Sequence, residues 1–215
     1  MNKIDFSRDG VLKTIYPIVK GKDVLDVGCI EHDLDRKNKE RIWVHDFLRE
    51  NAKNVTGIDI LEDDIKKLKW QGYDVHCMNA EKFNFNKKFD VIFAGELIEH
   101  LSNPGLFLEK CKKHLKKGGY LIITTPNAFN LYRITSSLLR LDNNPLVNNE
   151  HTFWFSPKTI SELITRYNLK IQKITYTDYP YINPRADFRL FNFISKPFPT
   201  LKESMILILK NDYSP

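Results

Sequence analysis

The chain of 215 residues is 42% hydrophobic and 28% charged. This suits one globular domain, read over residues 1–215 with decorations, and excludes global disorder, collagen-like repeats and a coiled coil. Its 33 Lys+Arg exceed 27 Asp+Glu, a net charge of +6, and the densest basic cluster (Lys110, Lys112, Lys113, Lys116, Lys117) reads as the solvated C-terminal end of a helix.

Short apolar runs alternate with amphipathic stretches, the signature of an α/β sheet with helices on both faces. Strands are expected at Lys22 to Val27, Asn54 to Asp59, Asp74 to Asn79, Phe89 to Gly95, Gly119 to Thr125, Lys170 to Asp178 and Ser204 to Lys210. Between them, Leu61 to Gln71 reads as a helix. Glu62, Asp63 and Asp64 suit its positive end, Ile65 and Leu68 face inward, and Gly72 stops it. Asn103 caps a second helix with Pro104 at its first position, and this helix is expected to run to Lys117 before Gly118-Gly119. Ser156-Pro157 repeats the start signal, followed by Ile160, Leu163, Ile164 and Tyr167 at helical spacing. Two stretches, 127–152 and 179–202, read as irregular excursions that border a substrate or form an interface. For the second, Phe188, Phe191, Phe193 and Phe198 leave a homodimer contact open.

The longest uncharged stretch, Tyr120 to Tyr132, contains Pro126 and is too short to span a bilayer. No signal peptide is visible. Cys29, Cys77 and Cys111 form neither a zinc pattern nor a disulfide framework, and a reducing cytoplasm is the simplest home.

In an open α/β sheet, ligands sit beyond the carboxyl ends of the strands. Those ends here read Asp26-Val27-Gly28-Cys29, Asp59-Ile60, Asn79-Ala80-Glu81 and Ala94-Gly95-Glu96. An acid ending a second strand can accept two hydrogen bonds from a ribose diol.

This ordered series, running from about Gly21 to Asp178, resembles a class I S-adenosylmethionine-dependent methyltransferase. The resemblance implies a Rossmann-like seven-stranded sheet whose last strand is antiparallel, with S-adenosyl-L-methionine as cofactor. It implies that Asp26, Gly28 and the adjoining Cys29 hold the methionine part. Asp59 would hold the ribose, Ile60 would pack on the adenine, and Ala80 and Glu81 would flank it. The backbone at Ala94 and Gly95 would lie near the sulfonium. One departure stands out. The glycines usual after the first are replaced by Cys29-Ile30-Glu31-His32, and Asp26 and Asp59 are 33 residues apart against roughly 20 for such a unit. Either the loop is remodelled and still binds cofactor, or the domain is a non-catalytic relative serving as a binding subunit.

Glu96-Leu97-Ile98-Glu99-His100 is the second constellation. On a helix its i, i+3 and i+4 side chains share one face, and His151 follows later in Glu150-His151-Thr152. Two carboxylates and two imidazoles suit Mg²⁺, Mn²⁺ or Zn²⁺. The pattern resembles the ubiquinone-pathway O-methyltransferases and the small-RNA 2′-O-methyltransferases. That likeness implies Glu96, Glu99, His100 and His151 as metal ligands. Without a metal, His100 or His151 becomes the general base, with Glu99 beside them. The acceptor is read as a small-molecule or glycan hydroxyl. An RNA acceptor needs a basic track, and Arg133, Arg140, Arg185 and Arg189 are few and scattered. A dehydrogenase is disfavoured because the first turn lacks Gly-x-Gly-x-x-Gly.

Overall fold

The computed structural model of the chain describes residues 9–30, 42–139, 148–178, 194 and 197–212. The strands β1 (Asp23–Val27), β2 (Asn54–Asp59), β3 (Val75–Cys77), β4 (Phe89–Gly95), β5 (Leu115–Pro126), β6 (Lys170–Thr177) and β7 (Ser204–Lys210) form one sheet. Its order is β3-β2-β1-β4-β5-β7-β6. Pairings from β3 through β5 are parallel, and β7 runs antiparallel to both of its neighbours. The expected seven-stranded sheet with a reversed last strand is therefore the observed one.

Central strands bury both faces, as parallel sheets do. In β5, Leu121 and Ile123 enter one core layer while Ile122 enters the other. In β7, Met205, Leu207 and Leu209 part from Ile206 in the same way. Helices cover each layer. On one side lie α4 (Pro104–His114) and α6 (Pro157–Arg166), contributing Phe107, Leu108, Cys111, Ile160 and Ile164. On the other lie α1 (Gly10–Val19) and α2 (Val44–Asn51), contributing Leu12, Ile15, Val19, Phe47 and Leu48. The expected caps are present. The Asn103 side chain accepts from the Leu106 amide, and Ser156 forms a reciprocal capping box with Thr159. Helix α3 (Glu62–Trp70) buries Ile65 and Leu68.

Three helices depart from the sequence reading. α1 was not expected, although Asp9 before Val11, Leu12, Ile15 and Val19 is a cap followed by helical spacing, and its carboxylate accepts from Val11 N and Leu12 N. α2 returns the chain from the long first crossover. α5 (Leu131–Leu139) lies inside the stretch read as irregular. Helix α4 also stops at His114, short of the expected Lys117, because Leu115 already pairs with Phe89. Gly118-Gly119 then forms an irregularity within β5 rather than a helix stop. Gly118 has φ +74°, and a side chain on Gly119 would lie 2.9 Å from the Asp90 and Lys116 carbonyl oxygens. Most of the expected excursion at 179–202 lies outside the described residues, as does the charged insert at 31–41.

His114 stitches α4 to the loop before β4. Its Nε2 accepts from Phe85 N at 2.9 Å and its Nδ1–H donates to the Lys110 carbonyl at 2.7 Å. The bond accepted at Nε2 requires the neutral ring, and burial holds its pKa below the ordinary 6.5. The unfolded chain therefore binds a proton at 6.5 that the folded chain still refuses, so stability falls as pH drops below 6.5. His114→Gln is expected to flatten the pH dependence of the urea midpoint between about pH 6.5 and 5. An unchanged slope in the variant would assign that dependence elsewhere.

Candidate active site

A cavity of about 570 Å³ opens at the carboxyl ends of β1, β2 and β4, where a parallel sheet presents its loops. Its floor begins at Gly28, whose φ of +80° is available to glycine at little cost. The turn places the Gly28 and Cys29 amides on the Ile58 carbonyl, at 2.8 and 3.2 Å. Ile30, the residue that replaces an expected glycine, points away from the cavity. It is 1% exposed and packs with Ile65, Leu68 and Val75. Its amide donates to Asp59 Oδ2 at 3.1 Å, and Leu61 N donates to Oδ1 at 3.2 Å. One carboxylate thus joins the first turn to the start of α3. Burial is the main force raising the Asp59 pKa, with the Asp26 charge adding to it.

Asp26 is 3% exposed and lines the same cavity. Its Oδ2 is 2.8 Å from His45 Nδ1 on α2. His45 is 1% exposed. Its ring lies 5.2 Å from Trp43 and 5.9 Å from Tyr73, and the Trp43 indole donates to the Cys29 carbonyl.

Opposite this wall, β4 ends at Gly95 and is followed by Glu96, whose φ of 47° breaks the strand. Its amide meets both the carbonyl and the hydroxyl of Thr124 at 3.0 Å. Only Ile98–His100 then forms a 3₁₀ turn. The shared helical face expected for Glu96, Glu99 and His100 is therefore absent, because Glu96 lies outside the turn. Glu99 is 1% exposed. Its Oε2 accepts from the Thr125 hydroxyl at 3.0 Å, while Oε1 is buried with no partner among the described residues. Burial and the Glu96 charge push its pKa up to about 9.

His151 arrives on a loop tethered by backbone. Thr152 N and Phe153 N donate to the Glu99 carbonyl at 2.8 and 3.1 Å, and the Thr152 hydroxyl lies 2.8 Å from the Leu101 carbonyl. The His100 and His151 rings meet at 4.6 Å, nearly perpendicular. Ligand atoms of Glu99, His100 and His151 all lie within 4.8 Å of one another. Glu96 lines the cavity without joining this group. On the far side, Arg133 lies 3.9 Å over the Trp154 ring. Burial lowers its pKa to about 10, against the opposing pull of Glu203, Glu96 and Glu99.

Ten of the residues singled out from sequence line this one cavity: Asp26, Gly28, Cys29, Asp59, Ile60, Gly95, Glu96, Glu99, His100 and His151. Ala80 and Glu81 do not. Ala80 is buried in the core, and the Glu81 carboxylate accepts from Asn103 N at 2.7 Å, fixing the entry to α4. Sequence reasoning missed Asp9, Val44, Asn148 and Glu150 in the lining. It also missed His45, which supports the lining from behind. Of these, Asp9 carried a signal, as a cap before a periodic apolar run. No helix among the described residues is long and apolar enough to cross a membrane.

A family profile described as a methyltransferase domain matches residues 5–174. Among curated proteins, the chain is 27% identical over 188 residues to the mitochondrial ubiquinone biosynthesis O-methyltransferase of Rattus norvegicus. That alignment covers 80% of this chain and 52% of that protein. It is 25% identical over 225 residues to the ubiquinone biosynthesis O-methyltransferase of Shewanella pealeana, covering 99% of this chain and 84% of that protein. The chain spans about half the length of several curated relatives it matches, from 40% to 60%. The crystal structure of a SAM-dependent methyltransferase from Archaeoglobus fulgidus superposes with a TM-score of 0.64 at 19% identity, covering 94% of each chain. The profile match spans most of the sequence and the sheet order agrees with it, so the chain belongs to the methyltransferase domain family of S-adenosylmethionine-dependent enzymes.

Proposed function

We propose that this chain transfers the methyl group of S-adenosylmethionine to a hydroxyl oxygen of a small molecule or glycan. The observation that carries this reading is the pairing of His100 with His151 beside buried Glu99, in the cavity that Asp26 and Asp59 also line. The cofactor brings an already activated methyl group, so the protein's part is alignment and exclusion of water. The acceptor hydroxyl must also lose its proton, and without a metal a neutral imidazole, His100 or His151, serves as the base. The curated relatives are named for O-methylation, which supports oxygen over nitrogen or carbon as the acceptor atom.

The charge of the lining supports a neutral acceptor over a nucleic acid. Six acidic side chains line the cavity (Asp9, Asp26, Asp59, Glu96, Glu99, Glu150), of which Glu99 is neutral at pH 7, and no Lys or Arg lines it among the described residues. A polyphosphate backbone would meet repulsion there. Asn148, Glu150 and His151 also support the reading of 127–152 as a substrate-side segment.

The donors fit a divalent cation. Among the described residues the buried Oε1 of Glu99 has no hydrogen-bond partner and lies next to two imidazoles, and a mixed oxygen and nitrogen set suits Mg²⁺, Mn²⁺ or Zn²⁺. Glu99, His100 and His151 would hold it, and such an ion lowers the pKa of a bound hydroxyl. The test is transfer of radiolabelled methyl from S-adenosylmethionine to a panel of catechols, polyols and sugars, with EDTA-treated and metal-supplemented protein. The expected result is label on oxygen, enhanced by metal. Cofactor binding with label appearing only on amines or carbon would reject the acceptor assignment. Failure to bind cofactor at all would favour a non-catalytic binding subunit.

A further inference from the structure

The first turn has lost its usual glycines and gained a long crossover, and the returning end of that crossover packs directly behind Asp26. Trp43 donates to the Cys29 carbonyl at 2.8 Å, and two residues on His45 reaches the Asp26 carboxylate at 2.8 Å. His45 fits because β2 carries Gly57. A methyl there would lie 2.8 Å from His45 Cε1, 2.8 Å from Cys29 Sγ and 2.9 Å from Val75 Cγ1. The ring is walled by Trp43 and Tyr73, and Tyr73 is itself clamped by Arg49, 3.8 Å above its ring centre, and by its hydroxyl's bond to Asp46. His45 Nε2 is buried without a hydrogen-bond partner among the described residues, so the single polar contact of this ring is Asp26. A buried polar ring held for one bond calls for a reason.

The chemistry of Asp26 supplies it. A carboxylate on a cavity wall, nearly closed from solvent, is a receptor for a cation. With one oxygen bonded from behind, the group can neither rotate nor turn away, and the other oxygen remains for a ligand. The cofactor offers an ammonium group at its amino-acid end. Resting on the cofactor assignment above, we infer that His45 is a positioning residue. It locks the Asp26 carboxylate for the ammonium of the cofactor. His45 touches no reacting atom, so its loss should be read in selective binding rather than in the chemical step.

Two ligands separate this from a general structural role. S-adenosylhomocysteine carries the amino-acid end, and 5′-methylthioadenosine lacks it while sharing the adenosine and sulfur. Calorimetric titration of both into the full chain and into His45→Leu, His45→Asn and Asp26→Asn is the test. His45→Leu should weaken S-adenosylhomocysteine by about 10- to 100-fold, the scale for loss of a hydrogen bond to a charged group, and leave methylthioadenosine within about threefold. Asp26→Asn, which keeps the shape and removes the charge, should show the same selective loss. His45→Asn places an amide N–H where Nδ1 stood and should recover most of the affinity. Equal weakening of both ligands in His45→Leu and Asp26→Asn would make the pair merely structural and overturn the inference, as would undiminished S-adenosylhomocysteine binding by His45→Leu. Should His45→Leu not fold, His45→Ala takes its place, with the same selective loss expected and the same outcomes overturning the inference. If the unaltered chain binds neither ligand, the cofactor assignment falls and this inference with it. Binding by the unaltered chain without selectivity in the variants removes the inference only.

Discussion

Asp59→Ala should abolish cofactor binding while leaving the protein folded. The carboxylate accepts from the Ile30 and Leu61 amides at the strand end where a ribose diol would sit. Two hydrogen bonds to a charged acceptor contribute roughly 1.5–3 kcal/mol each, so S-adenosylhomocysteine should bind at least about 100-fold more weakly. The fold should tolerate the change, because burial already disfavours the charged form of Asp59. Removing it relieves that cost as it removes the two bonds, and the thermal midpoint should move by only a few degrees. The raised pKa adds a second expectation. Binding that needs the carboxylate must weaken as pH falls, starting above the ordinary 3.8 of an aspartate. Calorimetry on both proteins across pH checks each point, and full-affinity binding by Asp59→Ala would move the ribose site elsewhere.

The second large effect concerns the paired imidazoles. His100→Ala and His151→Ala should each lower kcat by about 10²–10⁴-fold, the range for loss of a positioned acid–base group. Affinity for S-adenosylhomocysteine should stay within about threefold, since neither ring is needed to hold it. His151→Ala is informative because the loop stays tethered through the Thr152 and Phe153 amides, so the change removes an imidazole and not an anchor. The double variant should be little worse than either single, as for groups that act as a unit. Unchanged turnover in both singles would take these histidines out of the mechanism.

The architecture was largely legible because each signal was local. Strand ends such as Asp26-Val27-Gly28 and Asp59-Ile60 carry their meaning within a few residues, and caps at Asn103 and Ser156 announce their helices. What stayed hidden depended on distant partners or on backbone detail. The Glu96, Glu99 and His100 spacing fits a helix, but a positive φ at Glu96 cannot be read from spacing and separates it from the other two. Glu81 follows a strand end and is still drawn off by Asn103 N. His45 meets Asp26 across a crossover whose length conceals the contact. Ile30 misled in the opposite direction. It occupies a glycine position, yet its side chain joins the core and only its amide faces Asp59.

That arrangement bears on how such chains are recognised and how they diverge. The interaction delivered at Ile30 comes from a main-chain amide, which every residue but proline supplies. The identity of the side chain is then set by the hydrophobic layer beneath α3 and not by the ligand. Chains of this fold can therefore carry a large aliphatic residue there, as this one does, where the neighbouring layer makes room. A search that demands the glycine fingerprint would discard them, whereas one that requires the two strand-end acids and a reversed seventh strand would retain them.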